Sequence, residues 1–288
     1  MSLNHRLLIL AILILFALPT LGYFYYRQLH PRYIAPPPRP EINITIIPGW
    51  NLRQVAADWV AKNIIKTPDE LYGILGKPVV NYQALGKKAP NLNFVDTSGT
   101  PQYPLLLEKP AGISYEGFLY PDTYRVYADA KPEEILRKIF FNLEVKITPE
   151  LRAEIKRQGK SFFEILTMAS VVQKEAPSKE DMAKVADIFW RRYNKSWALQ
   201  SCATVNYITG KNDPGVTDAD RAVDSLFNTY KYPGLPLGPI SNPSVAAIEA
   251  VVYPAPNNYW YFMAGTDGVT RYARTLDEHN ANVAKYLR

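Results

Sequence analysis

The sequence predicts an α+β protein built from an N-terminal transmembrane helix, a small α/β subdomain and a larger, mixed helical and loop-rich domain. Three observations carry this. An uncharged, mostly apolar stretch runs from Leu7 to Tyr26. Ile42 to Ile46 alternates apolar and polar residues ahead of a turn and a cappable helix. Helical apolar stripes between residues 133 and 194 give way to a segment dominated by Gly, Pro, Asn and Tyr. At 288 residues and 47% hydrophobic, the chain can hold one or two domains with real cores, which excludes a disordered protein.

The Leu7–Tyr26 stretch has about the length that spans a bilayer as a helix, and Tyr23-Phe24-Tyr25-Tyr26 would sit at an interface. The competing reading is a cleavable signal peptide, for which Thr20-Leu21-Gly22 offers small residues. Either way the body of the protein is expected to be exported. Arg6 precedes the stretch and Arg27, Arg32 and Arg39 follow it, so charge does not decide orientation. A short N-terminal tail nevertheless fits an N-in, C-out arrangement. Residues 1–27 thus read as tail and anchor, and residues 28–41, with Pro31, Pro36, Pro37, Pro38 and Pro40, as an extended linker.

Export removes nucleic acid from the partners that a net charge of +6 would suit, and no compact Lys/Arg run gives that charge further meaning. A lone Cys202 allows no internal disulfide, and three histidines with one cysteine supply no zinc-ligand spacing. No metal and no cofactor is expected.

In the second segment, Pro48-Gly49 turns after the Ile42–Ile46 strand. Asn51 caps a helix whose apolar face includes Leu52, Val55, Ala56, Trp59 and Val60. Residues 91–112 read as loop and short strands, and residues 117–126 as extended segments broken by Pro121. Glu116 and Asp122 are the carboxylates of that region, and turn chemistry explains Asp122 equally well. Further on, residues 133–146 carry a helical stripe of Ile135, Ile139, Phe140 and Leu143. Another helix starts at Ser178 and runs through Val185, Ile188 and Phe189, and a last one, from Thr275 to Leu287, is capped by Thr275 with Glu278 three residues on. Beyond Tyr193 the chain reads as loop-rich, with Gly, Pro, Asn and Tyr dominating from Tyr207 to Tyr261.

Between these lies the most informative segment. Ser161 and Glu164 form a capping-box pattern, Pro177 stops the helix, and residues 162–175 are nearly all apolar up to Lys174-Glu175. A carboxylate at the C-terminal end of a buried helix meets the negative end of the helix dipole and loses water. Both favour its protonated form, as a general acid requires. Glu175 is equally readable as the first polar residue after a core helix.

The run Ala169-Ser170-Val171-Val172-Gln173-Lys174-Glu175 resembles the signature of the MltG-type (YceG-like) endolytic murein transglycosylases, in which the last residue is the catalytic glutamate. Further blocks match in the family's order: Glu116 to Tyr124, Leu199 to Tyr207, Asn228-Thr229-Tyr230, and Gly234 to Ile240 with Asn242-Pro243. Gln173 stands where the family has glutamate, Cys202-Ala203 where Asp-Pro is common, and Arg271 where His is frequent. The resemblance implies a LysM-like subdomain at 42–127, with a plain α+β packing unit as the alternative, and a transglycosylase domain at 128–288. It also implies a bacterial inner-membrane, single-pass protein whose catalytic domain faces the periplasmic side. The implied activity is cleavage of MurNAc-GlcNAc bonds in nascent peptidoglycan strands, forming 1,6-anhydro-MurNAc ends and terminating strand elongation. Glu175 would be the sole acid/base. Gln200, Ser201, Thr204, Asn228, Thr229, Tyr230 and Glu116 would line the sugar site, and peptidoglycan synthases would be partners. A non-catalytic glycan-binding scaffold and a lysozyme-like hydrolase are the alternatives, the latter needing a second carboxylate such as Glu116 or Asp122.

Overall fold

The structure, a computed structural model, describes residues 3–30, 37–92, 94–95, 98–211 and 215–287. The chain divides into two units, Met1–Pro40 and Glu41–Arg288. The first contains one helix, α1 (Leu3–Leu29), with Pro19 inside it. Here the expectation of a transmembrane helix is corrected: among the described residues, no helix is long and apolar enough to cross a membrane. The physical reason lies in residues 12–29, where Pro19, Thr20, Gly22, three tyrosines, Arg27 and Gln28 dilute the apolar run. The single-pass inner-membrane location inferred from that helix is withdrawn with it. Residues 31–36 of the expected linker lie outside the described residues.

The second unit opens with β1 (Glu41–Thr45), which pairs antiparallel with β2 (Thr123–Tyr127), Glu41 opposite Tyr127 and Thr45 opposite Thr123. Ile44, Tyr124 and Val126 turn into the core, so this two-stranded sheet buries one face. Between the strands lie α2 (Leu52–Ala61), α3 (Pro68–Leu75) and a short 3-10 turn at Pro104–Glu108. Asn51 caps α2 as its sequence predicts, with Gln54 closing the reciprocal bond. Trp59 is fully buried in the core.

After β2 come α4 (Pro132–Lys146) and α5 (Pro149–Arg157), then α6 (Phe162–Glu175) and α7 (Lys179–Asn194). Where loops are expected from sequence, the structure has α8 (Cys202–Thr209), the short α9 (Asp218–Arg221) and α10 (Val245–Val252). The chain ends in a hairpin, β3 (Tyr261–Ala264) and β4 (Thr270–Ala273), against which α11 (Leu276–Tyr286) packs. Helix α10 packs on both α6 and α7. That packing buries Ile165, Leu166, Val171 and Val172 of α6, each worth about 1.5–3 kcal/mol. The Ser161/Glu164 capping box adds about 1 kcal/mol. Core packing therefore holds α6 in place more strongly than its cap does.

One fully buried side chain ties remote parts together. Asn242 donates through its backbone N–H (2.7 Å) and its Nδ2 (2.9 Å) to the Trp50 carbonyl, while its Oδ1 accepts from Leu119 N–H (3.0 Å). Its own carbonyl accepts from Gly49 N–H (2.8 Å). The turn before α2, the segment ahead of β2 and the segment before α10 are thereby fixed to one another.

Candidate active site

Helix α6 ends at Glu175 because Ala176 leaves helical geometry (φ −133°) ahead of Pro177. The carboxylate points at the start of α8. Ser201 Oγ donates to Glu175 Oε1, and the N–H of Ala203 also hydrogen-bonds the carboxylate. Burial is the larger influence and pushes the carboxyl above its ordinary value. The Ser201 and Ala203 donors, the Arg192 guanidinium and Lys174 pull it back. The negative end of α6 was legible from sequence; the opposing positive end of α8, which favours the ionised form, was not. Glu175 is thus an acid with donors already placed to receive its carboxylate.

The chain reaches α8 through Gln200, exposed and held at φ +55°, a left-handed conformation costly for a residue with a side chain. Two bonds enforce it: Gln200 N–H to the Thr229 carbonyl (3.0 Å) and Arg192 Nη1 to the Leu199 carbonyl (2.6 Å). Arg192, 5% exposed, also donates to the Trp260 carbonyl. Ser201 is the N-cap residue of α8, yet its hydroxyl makes no cap bond because it is given to Glu175.

Beneath this lies a buried network. Thr229 Oγ1 accepts from Ser201 N–H (3.2 Å) and lies 2.9 Å from Thr204 Oγ1, which donates to the Ser201 carbonyl (2.8 Å). Asn228 Nδ2 donates to the carbonyls of Arg221 and Val223, both at 2.8 Å, and its Oδ1 accepts from Tyr230 N–H. The Tyr230 hydroxyl is 3.1 Å from Cys202 Sγ, and burial raises it well above its usual range. The structure therefore brings Ser201, Thr204, Thr229 and Tyr230 together near Glu175, with Thr204 and Thr229 holding the start of α8 from inside and Asn228 fixing the turn that carries Thr229 and Tyr230. Gln173, on α6, accepts from Ser244 N–H (2.9 Å) and Oγ (2.7 Å) at the cap of α10, a task an amide oxygen performs without charge.

Glu116 is placed differently. It is buried, and its oxygens accept from Leu52 N–H (3.0 and 3.1 Å) at the start of α2, one of them also from Tyr207 OH (3.0 Å). Burial raises its carboxyl to about 7 despite these donors. Asp122, exposed, accepts from Thr123 N–H and Asn142 Nδ2.

Glu175 opens into a cavity of about 480 Å³ between the start of α2, the end of α6 and α8, lined by Asn51, Arg53, Lys174, Cys202, Asn206 and Lys211 among others. Glu175 is the only carboxylate among the described residues lining it. A larger cavity of about 740 Å³, lined by Phe163, Thr167, Tyr193 and Pro233–Pro236, includes none of these groups. Arg53, Arg192 and Lys211 were not singled out from sequence. A signal for Arg192 existed, since it continues the buried stripe of Val185, Ile188 and Phe189 with a charge.

Residues 27–285 match the YceG-like family. The chain belongs to the YceG-like family. Its fold is similar to a crystal structure of a yceG-like protein from Listeria monocytogenes, with a TM-score of 0.68 and 31% identity over 90% of this chain and 80% of that one. A protein of Bacillus subtilis (strain 168) named endolytic murein transglycosylase is 36% identical over 173 residues, 60% of this chain and 48% of that one. One of the same name from Streptococcus pneumoniae serotype 2 is 30% identical over 256 residues, 85% of this chain and 44% of that one. The chain thus spans about half the length of the curated relatives it matches.

Proposed function

We propose that this YceG-like protein is a peptidoglycan lytic endotransglycosylase with Glu175 as its sole acid/base. The observation that carries the reading is that a carboxylate raised by burial stands alone in its cavity, among the described residues. Hydrolysis ordinarily needs a second carboxylate to activate water or to attack the sugar. Glu116 has both oxygens engaged by Leu52 N–H and Tyr207 OH.

In the proposed reaction, protonated Glu175 gives its proton to the oxygen linking MurNAc C1 to GlcNAc, and that C1–O bond breaks. The C6 hydroxyl of the same MurNAc forms the new bond to C1 and passes its proton to the Glu175 carboxylate, restoring the acid. Ser201 Oγ and Ala203 N–H stabilise the carboxylate between the two transfers. An intramolecular nucleophile spares the entropy of recruiting a second reactant. We assign Gln200, Ser201 and Tyr230 to the sugar, with Thr204, Asn228 and Thr229 supporting them; of these Ser201 bonds the acid directly.

We read residues 42–127 as a LysM-like subdomain and 128–288 as the catalytic part. The β1–β2 pairing, which joins residue 41 to residue 127, supports that division, and Asn51, Arg53 and Gln54 bring the first part into the cavity wall. Enzymes that polymerise glycan strands are the partners this activity would serve. The test is mass analysis of products from uncrosslinked strands. Anhydro ends, one water lighter than reducing ends, are expected from the native protein, with at least ~100-fold less from a folded Glu175→Gln variant. Labelled oxygen from water appearing in the new MurNAc ends would overturn the reading.

A further inference from the structure

The Glu175 cavity carries more positive charge than the sugar chemistry calls for. MurNAc and GlcNAc rings present hydroxyls and N-acetyl groups, which amides and hydroxyls bind without charge. Yet Arg53, Lys174 and Lys211 line the cavity together with a single carboxylate. Lys211 shares its charge with Asp220, 2.8 Å away. Arg53 and Lys174 take part in none of the ion pairs among the described residues.

Arg53 is held in place, and Lys174 lies against the turn before α2. The Arg53 guanidinium lies 5.3 Å from the centre of the Tyr207 ring and donates from Nη1 to the Tyr207 carbonyl (2.8 Å), which leaves its other N–H groups for a ligand. The Lys174 stem crosses Gly49, where φ is +83°. A Cβ there would lie 3.5 Å from Lys174 Cδ and 4.0 Å from Nζ, so the stem lies at about van der Waals distance over this turn. Two cations lining the same cavity as Glu175 suit an anion that arrives with the strand.

We propose that this wall reads a carboxylate borne by the muramoyl residue beside the scissile bond, with Arg53 and Lys174 as its ligands. The inference rests on the glycan-cleaving reading above and names the charge state of its substrate. A muramoyl residue offers such a group in two ways: on the stem peptide attached to its lactyl arm, or as the bare lactyl carboxylate once the peptide is removed. Part of the discrimination is electrostatic, so it weakens as salt shortens the screening length.

The test measures binding, so that it stands apart from cleavage. Full-length Glu175→Gln protein is titrated with three uncrosslinked strands: one with free stem carboxylates, one with every stem carboxylate amidated, and one stripped of peptide. The expected result is about fivefold weaker binding of the amidated strand at low salt. That gap should narrow at high salt and close in Glu175→Gln/Lys174→Gln, where an exposed side chain is changed and the fold is unaffected. That gap, with weak binding of the stripped strand, assigns the stem carboxylate as the ligand; tight binding of the stripped strand alone, with no gap between the two peptide-bearing strands, assigns the lactyl carboxylate. Equal affinity for all three strands, unchanged by Lys174→Gln, overturns the proposal. Cleavage products of the native protein judge the reaction separately.

Discussion

Replacing Ser201 with alanine removes one defined interaction from Glu175 and little else. The hydroxyl donates to Glu175 Oε1 and makes no cap bond to α8, so the helix start should be unaffected. The backbone N–H of Ser201 remains bound to Thr229 Oγ1, and the Ala203 N–H remains on the carboxylate. A hydrogen bond to a charged group contributes about 1.5–3 kcal/mol, and 1.36 kcal/mol corresponds to one pH unit of titration. Water from the adjoining cavity replaces part of the loss, leaving about 1.4 kcal/mol. The sign follows from which form the bond favours. Ser201 stabilises the ionised carboxylate, so its removal raises the carboxyl further above its ordinary value. In the proposed reaction Glu175 must be protonated at the start, so kcat/KM should fall as pH rises through its titration. The alkaline limb of kcat/KM for anhydro-end formation should therefore move up by about one pH unit in Ser201→Ala, with a lower plateau because the carboxylate intermediate is less stabilised. A limb that stays in place, or moves to lower pH, would refute the assignment of Ser201 as a donor to the acid.

Glu116→Gln keeps an acceptor for Leu52 N–H and removes a buried charge whose carboxyl stands at about 7 against an ordinary 4.5. A raised carboxyl in the folded state means that native stability falls as pH rises between those values, by up to ~3 kcal/mol. The variant should flatten that fall, which urea unfolding midpoints at pH 4.5 and 8 would measure. It should leave the chemical identity of the products unchanged. At Gly117, φ is +86° and a Cβ would collide with the Pro239 ring, so Gly117→Ala should lose about 2–4 kcal/mol by the same unfolding measurement.

Helix α6 was legible because its signals are local: the Ser161/Glu164 box, an apolar window and Pro177. Its terminal glutamate was legible with it. Helix α8 was not, since its cap residue gives its hydroxyl to Glu175 and its entry runs through a left-handed Gln200, against local preference. Helix α10 hides for another reason. Val-Ala-Ala-Ile-Glu-Ala-Val-Val is buried between α6 and α7 and shows no helical period. Residue type marked Thr204, Asn228 and Thr229 as polar groups near the acid. It could not distinguish a group that meets a ligand from one that satisfies backbone carbonyls and hydroxyls. The cationic wall was invisible because Arg53 and Lys174 are far apart in sequence and meet only through tertiary packing.

The Asn242 junction has a consequence for the order in which the molecule matures. Asn242 and Trp50 are 192 positions apart, and their bond closes a loop containing most of the chain. Contacts of such separation form late, after the entropy of closing the loop has been met by packing elsewhere. The turn that carries Gly49 and Asn51 into the cavity is anchored by that junction, so during synthesis Glu175 has only part of its surroundings until residue 242 has left the ribosome and docked. The nascent chain thus carries Glu175 without a finished cleft around it, and on the proposed reading the capacity to engage a strand arrives with the last third of the polypeptide.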